Sequence, residues 1–288
     1  MTDDLRDVDD VRAEPDEIDA AWMTAALEQA GVARGARVTE VHVQGFIGTG
    51  QTGRNARLAL QWDDPDGRPA TVVGKFASAD PNARLAAFTN GTYQNEWAFY
   101  HHLAHTLHIR TPQCHVARFD GSVPSFVLIM EDIAGSRQGD QIAGLTVDQA
   151  ALTIEQAVGL HAPRWGDPTL ADFAPERPKG DEAAMALGMV YQMMIEPFLE
   201  RLGPGLDDDV IAFVRELGPH AIAWASGNDT PSTVVHLDYR LGAVWGVVMT
   251  VIATILAAQT ERGDEMLTVM AQRHGRHALD LGAMELLG

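Results

Sequence analysis

The spacing of apolar residues changes partway along the chain. From Arg37 to Phe46, Val38, Val41 and Val43 are set among polar residues, which is the pattern of a half-buried strand. Arg54 to Trp62 and Ala70 to Phe76 read as two further strands joined by the turn Asp63-Asp64-Pro65-Asp66-Gly67, and Cys114 to Arg118 and Ser125 to Ile133 as two more around Asp120-Gly121. Two helices accompany them. One starts at Asp16 and runs through Ile18, Trp22, Ala25 and Leu27 to a stop at Gly31, and the other carries Tyr93, Trp97, Tyr100 and Leu103 at helical spacing.

Beyond Gly135 the spacing becomes helical. Thr146-Val147-Asp148-Gln149 is a capping box that opens a helix through Ala150, Ile154, Val158 and His161, ended by Pro163. A helix from about Asp181 to Leu202 places Met185, Met189, Met193 and Met194 on or near one face, as core filler or as the lining of a substrate pocket. Asp207-Asp208-Asp209 opens a helix toward Trp224, where three acids suit the helix dipole. The run Ala243 to Ala258 is shorter than the roughly 20 residues that span a bilayer, and reads as a buried helix. The expected organisation is a disordered acidic tail over 1–15, a sheet lobe over 16–133 and a helical lobe over 134–288.

Composition narrows the function. A net charge of -19 with no basic cluster argues against nucleic acid and is compatible with a cationic substrate. Cys114 is the single cysteine, so internal disulfides and a cysteine-rich zinc site are excluded, and a reducing compartment fits. The acidic first thirty residues show no secretory signal, so the cytoplasm is the expected location, with no membrane partner. Oligomeric state is not indicated.

Candidate chemistry starts at Gly48-Thr49-Gly50-Gln51-Thr52-Gly53, a G-x-G-x-x-G match. A dinucleotide fold needs a helix directly after these glycines, whereas here a strand follows, which counts against a nicotinamide-dependent dehydrogenase. A glycine turn between antiparallel strands instead suits a phosphate cover, in which main-chain N–H groups approach the ligand because no Cβ intervenes; an ordinary glycine-rich hairpin is the alternative. Lys75 lies in an apolar strand, where an ammonium needs an anionic partner. Glu96 and a phosphate would supply one, although Glu96 can also be read as a solvated helix residue. Met130-Glu131-Asp132 closes an apolar strand just before Gly135, as a hinge would, and adenine could hydrogen-bond to the backbone near Glu131 and Ile133. Finally, Thr233-Val234-Val235 reads as a strand breaking into His236-Leu237-Asp238, so that Asp238 could accept a proton from a substrate hydroxyl; a polar strand end in a loop is the bland reading.

Taken in order, Gly48/Gly50/Gly53, Lys75, Glu96, the 130–132 hinge and His236-x-Asp238 resemble the aminoglycoside phosphotransferase-like kinases, in particular the ecdysteroid-kinase-like branch, over about residues 36 to 241. The resemblance implies an α+β, two-lobed protein-kinase-like fold with an N-terminal antiparallel sheet lobe and a mainly helical, truncated C-terminal lobe. It implies ATP and Mg2+ as cofactors and a small-molecule hydroxyl as acceptor. Lys75 would hold the phosphates, Glu96 would orient Lys75, and Asp238 would be the base.

The chain departs from that family at two places. Leu237 replaces the glycine of a His-Gly-Asp motif and Ala243 stands at the metal-binding asparagine. No Asp lies between Asp238 and Asp264, so the second metal-binding aspartate is missing too, as an internal deletion after Leu241 would explain. No metal-ligating residue is assigned. Two readings stand: a small-molecule kinase of weak or no turnover, and a non-catalytic nucleotide- or ligand-binding remnant of that family.

Overall fold

The computed structural model describes residues 11–48, 52–133, 135, 140, 142–173, 181–226, 231–236, 243–254, 260–283 and 285. They form an α+β protein with one five-stranded antiparallel sheet and a helical part. The chain divides into two compact units, the first comprising Met1–Gln138, Thr153–Arg164 and Pro168–Pro175, the second Gly139–Leu152, Trp165–Asp167 and Glu176–Gly288.

In the first unit the strands are β1 (Val38–Ile47), β2 (Gly53–Trp62), β3 (Thr71–Ala77), β4 (Cys114–Asp120) and β5 (Ser125–Glu131), arranged in the order β1-β2-β3-β5-β4. The alternation in β2 and β3 sets what each face carries. Ala56, Leu58, Val72 and Phe76 are fully buried and face helix α1 (Ala20–Gln29), packing against Trp22, Met23 and Leu27. Asp19 caps that helix by accepting from the Trp22 N–H at 2.7 Å. The other face packs Phe126, Leu128 and Met130 against Tyr93 of helix α3 (Thr92–Ala98), which continues as a π-helical turn over Phe99–Leu103. Between β3 and α3 lies α2 (Pro81–Thr89), capped by Asp80 with Pro81 at its first position.

The tail expected to be disordered through residue 15 needs correcting at its end. Val11 packs against the α1 core, Pro15–Glu17 form a 3-10 turn, and Glu14 accepts from Arg54 and, at 2.6 Å, from Arg84. Two guanidiniums on one carboxylate give this segment a fixed anchor that its acidic composition concealed.

Helix α4 (Val147–His161) begins with the expected capping box: the Thr146 N–H donates to Gln149 Oε1 at 2.9 Å and the Gln149 N–H to Thr146 Oγ1 at 3.3 Å. Its buried face differs from the one expected. Ala157 and Leu160 are buried, whereas Ile154 and Val158 are exposed. Gly159 decides this, because its backbone lies against the 108–109 main chain and its carbonyl accepts from the His108 N–H at 3.0 Å.

The second unit is built on α5 (Asp181–Leu202), α6 (Asp208–Ser226), α7 (Ala243–Ala253) and α8 (Glu261–Asp280). Tyr191, Phe198, Phe213, Leu217, Val247, Val251 and Leu267 fill its core, and the Tyr191 hydroxyl donates to the Val214 carbonyl at 3.0 Å. The methionines of α5 are not core filler: Met185, Met189 and Met193 are 51%, 57% and 67% exposed, and Met194 alone packs on the core. The acids opening α6 serve ion pairs, Asp207 and Asp209 both meeting Arg276 of α8. Among the described residues no helix is long and apolar enough to cross a membrane.

Candidate functional site

Lys75 stands on β3 directly opposite Asn55 of β2 and Leu128 of β5. Residues opposite one another in an antiparallel pair share a face, so these three side chains leave the sheet on the side that carries α3. Tyr93 seats the helix there, stacked on Phe126 with ring centroids 4.5 Å apart. Glu96, one turn further along, then falls beside Lys75, and the ammonium donates to Glu96 Oε1 at 2.5 Å. Both side chains are about three-quarters buried, so the pair is only partly screened by solvent.

Two titratable groups near Glu96 are held neutral. Burial, and then the nearby Glu96 carboxylate, push the Tyr100 hydroxyl well above its ordinary pKa. Burial likewise pushes the Cys114 thiol up to about 12, against a smaller lowering by a hydrogen bond with the Val116 backbone, with Glu96 adding to the rise. Both groups stay protonated at neutral pH, so neither adds a negative charge beside the Lys75–Glu96 pair.

One glycine of the G-x-G-x-x-G run, Gly53, lies against this pair. Gly48 has φ +76°, a conformation that L side chains rarely adopt. At Gly53 a Cβ would lie 3.1 Å from the Phe76 carbonyl oxygen and 3.4 Å from Lys75 Cε, so the exit of the glycine turn rests against the lysine side chain. Gly50 lies outside the described residues.

At the far end of the sheet, the acids that close β5 are engaged internally. Asp132 accepts from Arg57 Nε at 2.8 Å and Nη2 at 3.0 Å; burial opposes its ionisation, but the bonds from Arg57 and Thr71 outweigh it and hold its pKa below the usual value. The Glu131 N–H donates to the Gln113 carbonyl at 2.8 Å, and its carboxylate accepts from the Gln113 N–H at 3.1 Å. That main-chain donor is therefore committed, which removes it from the set available to a base at this edge. Ile133 follows, partly buried.

The stretch leading to the expected base is not the strand it resembles. Residues 231–236 are irregular, with Val235 half exposed and the Ser232 carbonyl accepting from the Gly166 N–H at 2.7 Å. A β-branched run becomes a strand only when a neighbour completes its ladder, and none of the described strands pairs with Thr233–Val235. Asp238 itself lies outside the described residues.

Three residues at the site carried no obvious sequence signal. Asn55 could have been found from the β2 alternation, which puts it on the Lys75 face; its Oδ1 is buried without a hydrogen-bond partner among the described residues. Tyr93 was legible only as an apolar helix position, and Arg57 only as a charge in a strand. Among the described residues no group of three or more His, Cys, Asp or Glu side chains could hold a metal ion. Comparison with family models, with curated proteins and with solved structures gives no match.

Proposed function

We propose that this chain has a kinase-like nucleotide site in its sheet unit and descends from ATP-dependent phosphotransferases acting on small-molecule hydroxyls. The observation that carries the reading is the Lys75–Glu96 pair on the sheet face beneath the exit of the glycine turn. A lysine on the third strand, fixed by a helix glutamate, is the arrangement that binds nucleotide phosphates in kinases, where a glycine loop covers them. The remaining parts fit by sequence. Of the Glu131–Ile133 edge expected for an adenine base, the Glu131 N–H at the end of β5 is already committed to Gln113, so the Ile133 main chain after the strand is the remaining candidate donor, and Asp238 is the candidate proton acceptor from the substrate hydroxyl. The fold would be two-lobed, with the helical unit carrying that base.

Within this reading Lys75 supplies positive charge to phosphate oxygens, Glu96 keeps the ammonium aimed, and the glycines allow main-chain N–H groups to approach. The Mg2+ implied by the resemblance does not fit the donor set, because Ala243 offers no ligand atom and no Asp lies between Asp238 and Asp264. Those same departures favour a second reading, a nucleotide-binding protein without turnover.

A thermal-melt titration with ATP, with and without magnesium, tests both. Ligand at about 100 times its dissociation constant adds roughly 2.7 kcal/mol, several degrees for a chain of this size. A magnesium-dependent rise together with phosphate transfer to an alcohol supports the kinase; a magnesium-independent rise without transfer supports the binding protein. No rise with either would refute the nucleotide site.

A further inference from the structure

We propose that Tyr93 is a positioning residue for the nucleotide site, its hydroxyl latching the exit of the glycine turn to the same helix that holds Lys75; this rests on the nucleotide-binding reading above. The hydroxyl donates to the Thr52 carbonyl at 2.8 Å and accepts from the Ser78 N–H at 3.1 Å. One phenol thus joins the residue before Gly53 to the residue after β3, while its ring is 1% exposed and stacked on Phe126. The bond to Thr52 fixes more than one atom. A peptide unit is planar and trans, so holding the Thr52 carbonyl in one direction holds the Gly53 N–H antiparallel to it. Main-chain N–H groups are what a glycine turn offers to phosphate oxygens, and the peptide through which this turn enters β2 keeps a single orientation without ligand. Burial raises the Tyr93 pKa, against a smaller lowering by the Ser78 N–H, so the group remains a donor across the physiological range.

The geometry also couples two functions. Tyr93 and Glu96 are successive turns of α3, one bonded to the glycine turn and the other to Lys75. A rigid helix makes the distance between turn and lysine a property of α3 rather than of the loop. The Thr52–Gly53 peptide and the Lys75 ammonium are therefore both set in advance, which reduces the ordering cost of binding.

The test is Tyr93→Phe, which keeps the stacked ring and deletes the hydroxyl, compared with Leu27→Ala, which loosens the α1 core on the opposite face of the same sheet and leaves Tyr93 and its stack in place. ATP affinity is read by calorimetry, and exchange of the Thr52 and Gly53 amides by mass spectrometry without ligand. The expected result is a dissociation constant about tenfold weaker and faster exchange at those amides in Tyr93→Phe, with Leu27→Ala lowering the melting temperature but leaving affinity near wild type. Wild-type affinity in Tyr93→Phe, or an equal loss in Leu27→Ala, overturns the positioning role. A wild-type protein that binds no ATP overturns the nucleotide reading instead, and unchanged exchange in Tyr93→Phe shows separately that there is no latch.

Discussion

Lys75 and Glu96 lie 21 residues apart in the chain and meet at 2.5 Å on one face of the sheet. Neither is placed by chance of rotamer alone. Strand alternation sends Lys75 out on the α3 side while Phe76 goes to the opposite core, and the stacking of Tyr93 on Phe126 sets the turn of α3 from which Glu96 projects.

Removing either member of this pair tests whether the site binds phosphate. Lys75→Ala deletes the cation and leaves a partly buried carboxylate, while Glu96→Gln keeps the size and loses the charge. A charge-assisted bond to phosphate is worth about 1.5–3 kcal/mol, so ATP affinity is expected to fall roughly tenfold or more in Lys75→Ala. Glu96→Gln is expected to fall less, because it disturbs only the aim of the ammonium. Calorimetric titration of both variants decides this; ATP binding unaffected by Lys75→Ala would remove the phosphate-binding role.

Asp238→Ala addresses the base. If the chain transfers phosphate, this variant is expected to retain nucleotide affinity within about twofold and to lose transfer by about a hundredfold or more, the usual reach of a general base. A radiolabel transfer assay against an alcohol panel measures it. Transfer at the wild-type rate would return Asp238 to the status of a polar loop residue.

The sequence made the sheet unit readable and misled on the helix faces. Four features of the first unit, the β1–β2 glycine turn, the strand alternation around Lys75, the helix of Glu96 and the apolar β5, follow from local pattern, because a strand with one buried face has little freedom of register. Helical pattern says less about which of two apolar faces is covered. Ile154 and Val158 share a stripe, but Gly159 permits a closer backbone approach and the chain buries Ala157 and Leu160. Met185, Met189 and Met193 face outward for a comparable reason: Tyr191, Ile195 and Phe198 supply the larger contact surface on α5. Thr233–Val235 has strand composition, but none of the described strands pairs with it, and local pattern does not report which neighbours a segment will meet. Tyr93 was legible as an apolar position only, since its hydroxyl partners are main-chain atoms 15 and 41 residues away.

The packing of α5 on α6 gives a prediction independent of function. Gly188 is buried in α5, and a Cβ there would lie 3.1 Å from the Ile222 backbone N and 3.2 Å from its Cα, with the Ile222 side chain closer still. The main chain of α6 cannot yield as a side chain can. Gly188→Ala is therefore expected to destabilise the protein by about 1–3 kcal/mol despite the better helix propensity of alanine. Thermal unfolding should show a lower midpoint, and a midpoint raised by the substitution would mean that the helices are farther apart than described.

Glu14 should make stability sensitive to acid. Burial opposes its ionisation, but hydrogen bonds and charge from Arg54 and Arg84 outweigh that and lower its pKa below the ordinary 4.5. A carboxylate whose folded-state pKa is depressed releases its proton more readily in the native protein than in the unfolded chain, so the unfolded state binds more protons in the interval between the two values. The stabilisation is thus complete above about pH 4.5 and is lost as the pH falls from there through the lowered value. The side chain is still one-third exposed, 33%, so solvent screens part of the interaction and Glu14→Gln at neutral pH should cost only about 1 kcal/mol. The distinguishing result lies in the pH dependence. Between pH 6 and pH 3 the melting temperature of the wild type should fall more than that of Glu14→Gln, so that the gap between the two curves narrows toward acid as the carboxylate is protonated. Parallel curves over that range would mean that the carboxylate does not hold the segment from Val11 to Glu17 against the sheet unit, and that this segment is retained by the packing of Val11 and Ile18 alone.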